Sequence, residues 1–147
     1  MLDDSRRISR ARLISGLRPK IREEVLNLIA LKREGTYWDF KKEWHKDNSE
    51  LIHDMLCLAN NLESDVSYLF IGIDEEEDYS VCDVENNDHA ERKTNQMIVD
   101  MLSKTKWDNS QPPFAVVEPM ELDGGTIDIL CIVSRREDMP YSLSKGS

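Results

Sequence analysis

The sequence contains few cysteines and no long apolar segment. Its three cysteines, Cys57, Cys82 and Cys131, are widely separated and odd in number, which argues against a disulfide framework and a Cys-x-x-Cys zinc site. We therefore expect buried, reduced thiols. Because no apolar run approaches the ~20 residues that a membrane span requires, we expect no membrane segment and a cytoplasmic location.

Glycine is also scarce, with six in 147 residues, and none belongs to a phosphate-binding motif. Gly124 and Gly125 follow an aspartate between two β-rich runs, which is typical of a hairpin turn. Because the sequence has neither a P-loop nor a dinucleotide-binding fingerprint, we expect no nucleotide cofactor. The histidines His45, His53 and His89 lack a third group at a spacing typical of a metal or nucleophile site, and we expect His53 on the surface.

Positive charge is in the minority, with 19 Lys and Arg against 29 Asp and Glu and a net charge of −10. Residues 1–33 hold nine basic and four acidic residues, a net +5, whereas residues 34–147 hold ten and twenty-five, a net −15. This balance argues against a general DNA coat protein, and phosphate binding then needs a local basic patch or metal ions. The basic N-terminal side chains either contact nucleic-acid phosphate or lie against acidic surface of this chain or of a second copy. They are Arg6, Arg7, Arg10 and Arg12.

Apolar periodicity predicts an α+β fold, in one domain with a mixed β-sheet packed by helices. The first predicted segments are a helix to about residue 32, a strand over 36–42, a helix over 51–62 and an interior strand over 66–73. Asp47 caps the second helix, and Leu62 lies on its buried row. A loop of acids over 74–78 follows, then an edge strand over 81–84, a helix begun by Asp88 and Glu91, and strands over 114–117 and 127–133. We expect a basic helical arm at 1–18, the domain at 19–143 and a tail at 144–147.

The first predicted strand carries an acid and a base on one face. Trp38 and Phe40 point into the core, while Asp39 and Lys41 share the opposite face, roughly 6–7 Å apart. Glu34 would lie roughly 16 Å from Asp39 in an extended chain. A bend in the intervening residues is therefore needed to bring these two carboxylates together.

Gly35 offers that bend, and Asp74 offers a third carboxylate at the end of the next strand. A helical crossover favours parallel pairing of the two strands, which would bring Asp74 towards Asp39. Three carboxylates with Lys41 suit metal-assisted phosphodiester cleavage, because hard oxygen ligands bind Mg²⁺ or Mn²⁺ and an ammonium stabilises developing charge. The alternative interpretation of the same residues is a salt-bridged strand face.

Several segments resemble the Schlafen-type AlbA-like domain family. They are E-G-T-Y-W-D-F-K at 34–41, a helix ending in A-N-N at 61, Y-L-F-I-G-I-D at 68–74, I-D-I-L-C-I-V-S at 127–134 and M-P-Y-S at 139–142. The ribonuclease members of this family cleave structured RNA such as transfer RNA with an acidic triad, whose positions fall on Glu34, Asp39 and Asp74. The resemblance implies an RNA-directed nuclease that holds Mg²⁺ or Mn²⁺ with these three residues, assisted by Lys41.

The sequence departs from the family pattern at several points, and other functions stay open. Asp39 is shorter than the usual Glu, and no Cys/His set matches the Schlafen zinc site. The second hypothesis is a non-catalytic module that binds RNA or DNA through the N-terminal arginines, and the third is a protein-interaction module of a larger assembly. Trp44 and Trp107 either stack on bases or belong to the core. Members of the family have doubled lobes, so a homodimer is one possibility for this chain. Another is that the chain is a fragment of a longer protein.

Overall fold

The computed structural model describes residues 19–86, 91–108 and 111–144. The arginines of the predicted phosphate-binding arm lie outside these residues, as does His89. The chain divides into two compact units between Arg33 and Glu34. The described helix of the first unit, α1 (Pro19–Ala30), has Val25 and Leu28 buried. The predicted domain limits stay a prediction.

The second unit begins at Glu34 and contains two helices and six strands among its described residues. The helices are α2 (Asn48–Ala59) and α3 (Asn95–Lys104). The strands are β1 (Trp38–Lys41), β2 (Val66–Ile71), β3 (Ile73–Asp74), β4 (Ser80–Val81), β5 (Phe114–Leu122) and β6 (Gly125–Val133). Short 3₁₀ turns occupy Glu75–Glu77 and Arg136–Asp138. None of the helices in the described ranges has the length and apolarity to cross a membrane.

The main sheet has the strand order β1-β2-β6-β5. Strands β1 and β2 run parallel, with Asp39 opposite Leu69, and the other neighbours are antiparallel. Strands β3 and β4 form a separate two-stranded sheet. The α+β class, the mixed sheet and the parallel pairing of the first two strands are therefore confirmed.

An apolar core fills the space between the main sheet and the two helices of this unit. Helix α2 packs on β2 and β6, and α3 packs on β5. Leu51 of α2 and Leu69 and Leu130 of the sheet are fully buried in this core. Since Asp39 pairs with Leu69, it lies on the helix side of the sheet, on edge strand β1.

The opposite face of β1 is aromatic. Trp38 and Phe40 are 6% and 2% exposed, as the alternation predicts. The Phe40 ring lies 5.3 Å from that of Phe70 and 5.0 Å from that of Tyr79, the latter edge-on. These contacts hold β1 in the register that turns Asp39 towards the helix side.

Gly72 interrupts the strand that the sequence predicts over residues 66–73. Its φ of +106° is not an extended conformation, and its N–H donates to the carbonyl of Lys41 at 2.7 Å. A Cβ at this position would lie 2.9 Å from Cγ1 of Val84. The chain therefore leaves the main sheet at Gly72, and Asp74 belongs to the small second sheet.

Helix α2 begins as predicted but ends earlier. Asp47 caps it by accepting the N–H of Ser49 at 2.9 Å. The helix stops at Ala59 because the side chain of Asn60 binds both backbone groups of Tyr141, at 2.9 and 2.7 Å. Leu62 lies beyond this end and is 78% exposed, so its predicted burial is wrong.

The predicted start of the third helix is also wrong. Glu91 is not helical, whereas Asp88 lies outside the described residues. Helix α3 begins at Asn95, where the Thr94 hydroxyl accepts the N–H of Met97 at 3.2 Å. The preceding Arg92 is held by the main sheet instead, which keeps this segment out of the helix.

The predicted burial of the cysteines is only partly confirmed, and the two interpretations of the tryptophans can now be compared. Cys131 is buried, but Cys82 is half-buried and Cys57 is exposed on α2, so the expected burial is wrong for Cys57. Trp44 is 2% exposed and Trp107 packs partly buried against the core. The structure therefore supports the core interpretation of both tryptophans.

Asp128 on β6 ties two connecting segments to the sheet. It is 1% exposed and accepts Trp44 Nε1 at 2.9 Å and the guanidinium of Arg92 at 2.8 and 2.9 Å. We expect Asp128→Asn to lower the free energy of unfolding by about 2 kcal/mol, because an amide cannot accept both hydrogen bonds from Arg92. Urea denaturation measures the loss.

The matched control is Asp123→Asn, an exposed position in the turn between β5 and β6. Asparagine tolerates the positive φ of 50° found there, so we expect a change below about 0.5 kcal/mol. Equal midpoints for the two variants would contradict a structural role for the Asp128 contacts.

Candidate active site

A tight bend before β1 brings two distant carboxylates together. The N–H of Gly35 donates to the carbonyl of Trp38 at 3.0 Å, which folds residue 34 back over the strand. Glu34, Asp39 and Glu75 each offer a carboxylate oxygen, and these oxygens all lie within 4.8 Å of one another. We call these three residues the acidic cluster. The bend at Gly35, which the spacing required, is thus present.

Of the three predicted carboxylates, the structure brings together Glu34 and Asp39 but not Asp74. Oδ1 of Asp74 accepts the N–H of Glu76 at 3.0 Å and so caps the 3₁₀ turn, while its Oδ2 lies 3.8 Å from Nζ of Lys42. The next residue, Glu75, occupies the third position of the cluster. Sequence reasoning missed Glu75 because it treated the acids after Asp74 as a solvated loop.

The conformation of the following loop helps to place Glu75. Asp78 and Tyr79 both adopt left-handed backbone conformations, with φ of 53° and 60°, which cost about 1–2 kcal/mol each. They are held by the hydrogen bond from Tyr79 N–H to the carbonyl of Asp74 (2.9 Å) and by the ring contact of Tyr79 with Phe40. Strain of this kind persists where the surroundings over-determine it, and it clusters at functional sites.

Lys41 lies beside the acidic cluster and also contacts helix α2. Its Nζ is 3.9 Å from Oδ2 of Asp39 and 3.6 Å from Oδ2 of Asp54. His45 Nε2 lies 2.5 Å from the same Asp54 oxygen, and the His45 side chain is only 7% exposed. His53 is exposed, as expected. No sequence pattern indicates the pair His45 and Asp54, because its members come from a loop and a helix nine residues apart.

Most of the chain matches a known protein family. The family model described as Schlafen, AlbA_2 matches residues 34–145. The chain belongs to this family. The match confirms the predicted resemblance and includes the whole acidic cluster. It indicates a nucleic-acid-binding domain. No curated protein and no solved structure matches the chain significantly.

Two of the segments that resemble the Schlafen family contact each other directly. The A-N-N end of α2 and the Pro-Tyr segment meet through the paired hydrogen bonds of Asn60 with Tyr141. Tyr141 is 4% exposed, and its hydroxyl accepts the N–H of Arg135 at 2.8 Å. These residues stabilise the domain and lie outside the acidic cluster.

The surroundings of Asp39 in the Schlafen domain raise the pKa of its carboxyl group, which makes it easier to protonate than an exposed aspartate. Burial raises the pKa of Asp39 from 3.8 to about 6; the N–H of Phe40, 2.7 Å from Oδ1, opposes this rise, and a hydrogen bond with Glu34 adds to it. Burial and the negative charge of Asp39 also raise the pKa of Glu75, while Lys41 lowers it. Ionised together, the three carboxylates repel one another, and a divalent cation would offset that repulsion.

We therefore expect Mn²⁺ to stabilise the domain more at about pH 7.5 than at about pH 5. Because folding raises the pKa of Asp39, the folded protein binds more protons than the unfolded chain between about pH 4 and 6. Without metal, the free energy of unfolding therefore falls as the pH rises through this range. At about pH 5 a cation must displace a proton from Asp39. Thermal unfolding with and without saturating Mn²⁺ measures the effect, which we expect to be about 5–10 °C at the higher pH.

The control for this pH dependence is Asp39→Asn, which removes the titrating group. We expect Mn²⁺ to shift the melting temperature of this variant little at either pH. An equal shift at both pH values in the parent protein would contradict the coupling of cation binding to Asp39.

Proposed function

We propose that this Schlafen domain is a metal-dependent endoribonuclease that cleaves structured RNA such as transfer RNA. The observation that supports the proposal is the convergence of Glu34, Asp39 and Glu75, with the Lys41 ammonium 3.9 Å from Asp39. The family supplies nucleic-acid binding, and the acidic cluster supplies a means of cleavage.

The residues of the acidic cluster fit Mg²⁺ or Mn²⁺. All three offer carboxylate oxygens, the hard ligands that these cations prefer. When bound, such a cation polarises a phosphate and lowers the pKa of an attacking water. Asp39 is held in orientation by the N–H of Phe40, which leaves its second oxygen on the side of Lys41.

Lys41 has a separate role in the proposed reaction. The Lys41 side chain is 38% exposed, so we expect its ammonium to be accessible to a phosphate oxygen that approaches Asp39. A fixed positive charge at that position stabilises the negative charge that develops on the phosphate in the transition state. Lys41 also reduces the repulsion between the acidic cluster and the RNA backbone.

The strongly acidic composition of residues 34–147 makes cation dependence a requirement of the proposal. This part of the chain has a net charge of −15, so RNA meets repulsion at the cluster unless a cation binds there first. We accordingly expect cleavage of RNA only when Mg²⁺ or Mn²⁺ is present.

The test is a cleavage panel of transfer RNA, single-stranded RNA and DNA, each with Mg²⁺, Mn²⁺ or EDTA. We expect transfer RNA to be cleaved with either metal and to stay intact with EDTA. Asp39→Asn should reduce the rate by about 100-fold or more, whereas the exposed turn variant Asp123→Asn should match the parent protein. Cleavage that persists in EDTA, or no cleavage of any RNA with either metal, would refute the proposal.

A further inference from the structure

We infer that His45 and Asp54 are positioning residues that hold the Lys41 ammonium beside the acidic cluster and keep it out of the cation site. The inference rests on the proposed function, since it assigns these two residues to the same site. Neither belongs to the acidic cluster, and both lie on the α2 side of Lys41.

The distances show that Lys41 is shared between two carboxylates. Nζ of Lys41 lies slightly closer to Asp54 (3.6 Å) than to Asp39 (3.9 Å). A lysine side chain is long and flexible, and an ammonium next to three carboxylates is drawn towards them. If it entered the cluster, it would compete with a divalent cation for the same oxygens. Asp54 opposes this movement by attracting the ammonium from the other side.

His45 fixes the carboxylate that performs this task. Its Nε2 lies 2.5 Å from Oδ2 of Asp54, the same oxygen that faces Lys41. The other ring nitrogen, Nδ1, is buried and has no hydrogen-bond partner among the described residues. Burying an unpaired ring nitrogen is unfavourable for stability, which points to a role for His45 outside folding.

The same residues line an open groove next to the acidic cluster. The groove has a volume of about 640 Å³, and Lys41, His45, Ser49, His53 and Asp54 are among its lining residues. Lys41 therefore borders both the groove and the cluster. A phosphate that moves from the groove to Asp39 passes the ammonium, so its position affects both the cation and the substrate.

The test measures Mn²⁺ affinity by calorimetry and transfer RNA cleavage in a set of variants. We expect Asp54→Asn and His45→Ala each to weaken Mn²⁺ binding by about tenfold and to lower kcat about tenfold with little change in KM, as for other partners of metal-site residues. His45→Gln should retain near-parent values, because its amide can donate a hydrogen bond to Asp54. Glu63→Gln, an exposed acid in the loop before β2 and away from the groove, is the charge-matched control and should equal the parent protein.

The decisive comparison uses Lys41→Met as a second background. If Asp54 acts through Lys41, Asp54→Asn has no further effect on Mn²⁺ affinity once the lysine is gone. An equal loss in both backgrounds would overturn the inference, because it would show a direct effect of the Asp54 charge. Parent-like Mn²⁺ affinity in Asp54→Asn would overturn it as well, and this isosteric variant decides the matter even where His45→Ala does not fold.

The two readouts separate this inference from the proposed function. The expected changes in Mn²⁺ affinity without cleavage of any RNA by the parent protein would support the positioning role and refute the nuclease. Cleavage by the parent protein with unchanged Mn²⁺ affinity in Asp54→Asn would support the nuclease and refute the positioning role. A parent protein that binds no Mn²⁺ would overturn the positioning role, and it would refute the nuclease as well if RNA also stays intact with Mg²⁺.

Discussion

Glu75→Gln is expected to abolish detectable RNA cleavage and to weaken Mn²⁺ binding by about 100-fold. Glu75 completes the set of three carboxylates whose oxygens lie within 4.8 Å of one another. A neutral amide in its place removes one of the three negative charges that the acidic cluster offers to the proposed cation, and effects of this size are typical for the loss of one such interaction. Cleavage assays and calorimetric titration with Mn²⁺ measure the two losses.

The neighbouring variant Asp74→Asn is expected to keep most of the activity. Asp74 acts as a cap, and the side-chain carbonyl of asparagine can also accept the N–H of Glu76. The lost ion pair with Lys42 spans 3.8 Å at a lysine that is 54% exposed, so it contributes less than about 1 kcal/mol. Adjacent acids in a run of five are thus expected to differ by about two orders of magnitude in their effect on cleavage.

An exposed glutamate supplies the control for the loss of charge alone. Glu63→Gln, in the loop before β2, should leave cleavage and Mn²⁺ affinity unchanged. The opposite ranking, with Asp74→Asn inactive and Glu75→Gln active, would show that Asp74 is the third carboxylate after all. In that case the loop over residues 74–79 would have to rearrange when the cation binds.

The sequence predicted the elements whose signal is local. The alternation around Trp38 and Phe40 predicted both faces of β1, and the aspartate cap at residue 47 predicted the start of α2. The parallel pairing of β1 with β2 followed from the connecting helix. In each case the deciding interactions lie within a few residues, or within one supersecondary unit.

The parts that sequence analysis missed depend on contacts between distant segments. A side chain at Gly72, where the chain leaves β2, would meet Val84, and α2 ends where Asn60 binds Tyr141. These partners lie 12 and 81 residues away in the sequence, and no periodicity indicates them. Strands β5 and β6 also extend further towards the hairpin turn than the apolar runs in the sequence predicted.

The candidate site shows the same division. The Schlafen resemblance located Glu34 and Asp39, and the spacing between them required the bend at Gly35. The choice between Asp74 and Glu75 depends on how the 3₁₀ turn directs each side chain, and five consecutive acids contain no pattern that distinguishes them. The pair His45 and Asp54 was invisible for a similar reason, because its geometry arises only when the loop packs beside α2.

Gly35→Ala is expected to disrupt the site and the strand together. A Cβ at residue 35 would lie 2.2 Å from two carbons of the Trp38 indole, which is itself only 6% exposed. Either the indole or the bend must move, at a cost of about 1–3 kcal/mol in the free energy of unfolding. Opening the bend separates Glu34 from Asp39, and a displacement of about 1 Å at a reacting site lowers the rate by about 100-fold.

The cause of this loss can be tested with a second substitution that makes room for the new methyl group. Trp38→Leu removes the indole carbons that the Cβ would meet, so Gly35→Ala should cost less stability in that background, measured by urea denaturation as a double-mutant cycle. Mn²⁺ affinity should also fall less there, because the bend no longer has to open. Additive effects of the two substitutions would mean that Gly35 matters for some property other than its contact with Trp38, and that the bend holding Glu34 over Asp39 has another origin.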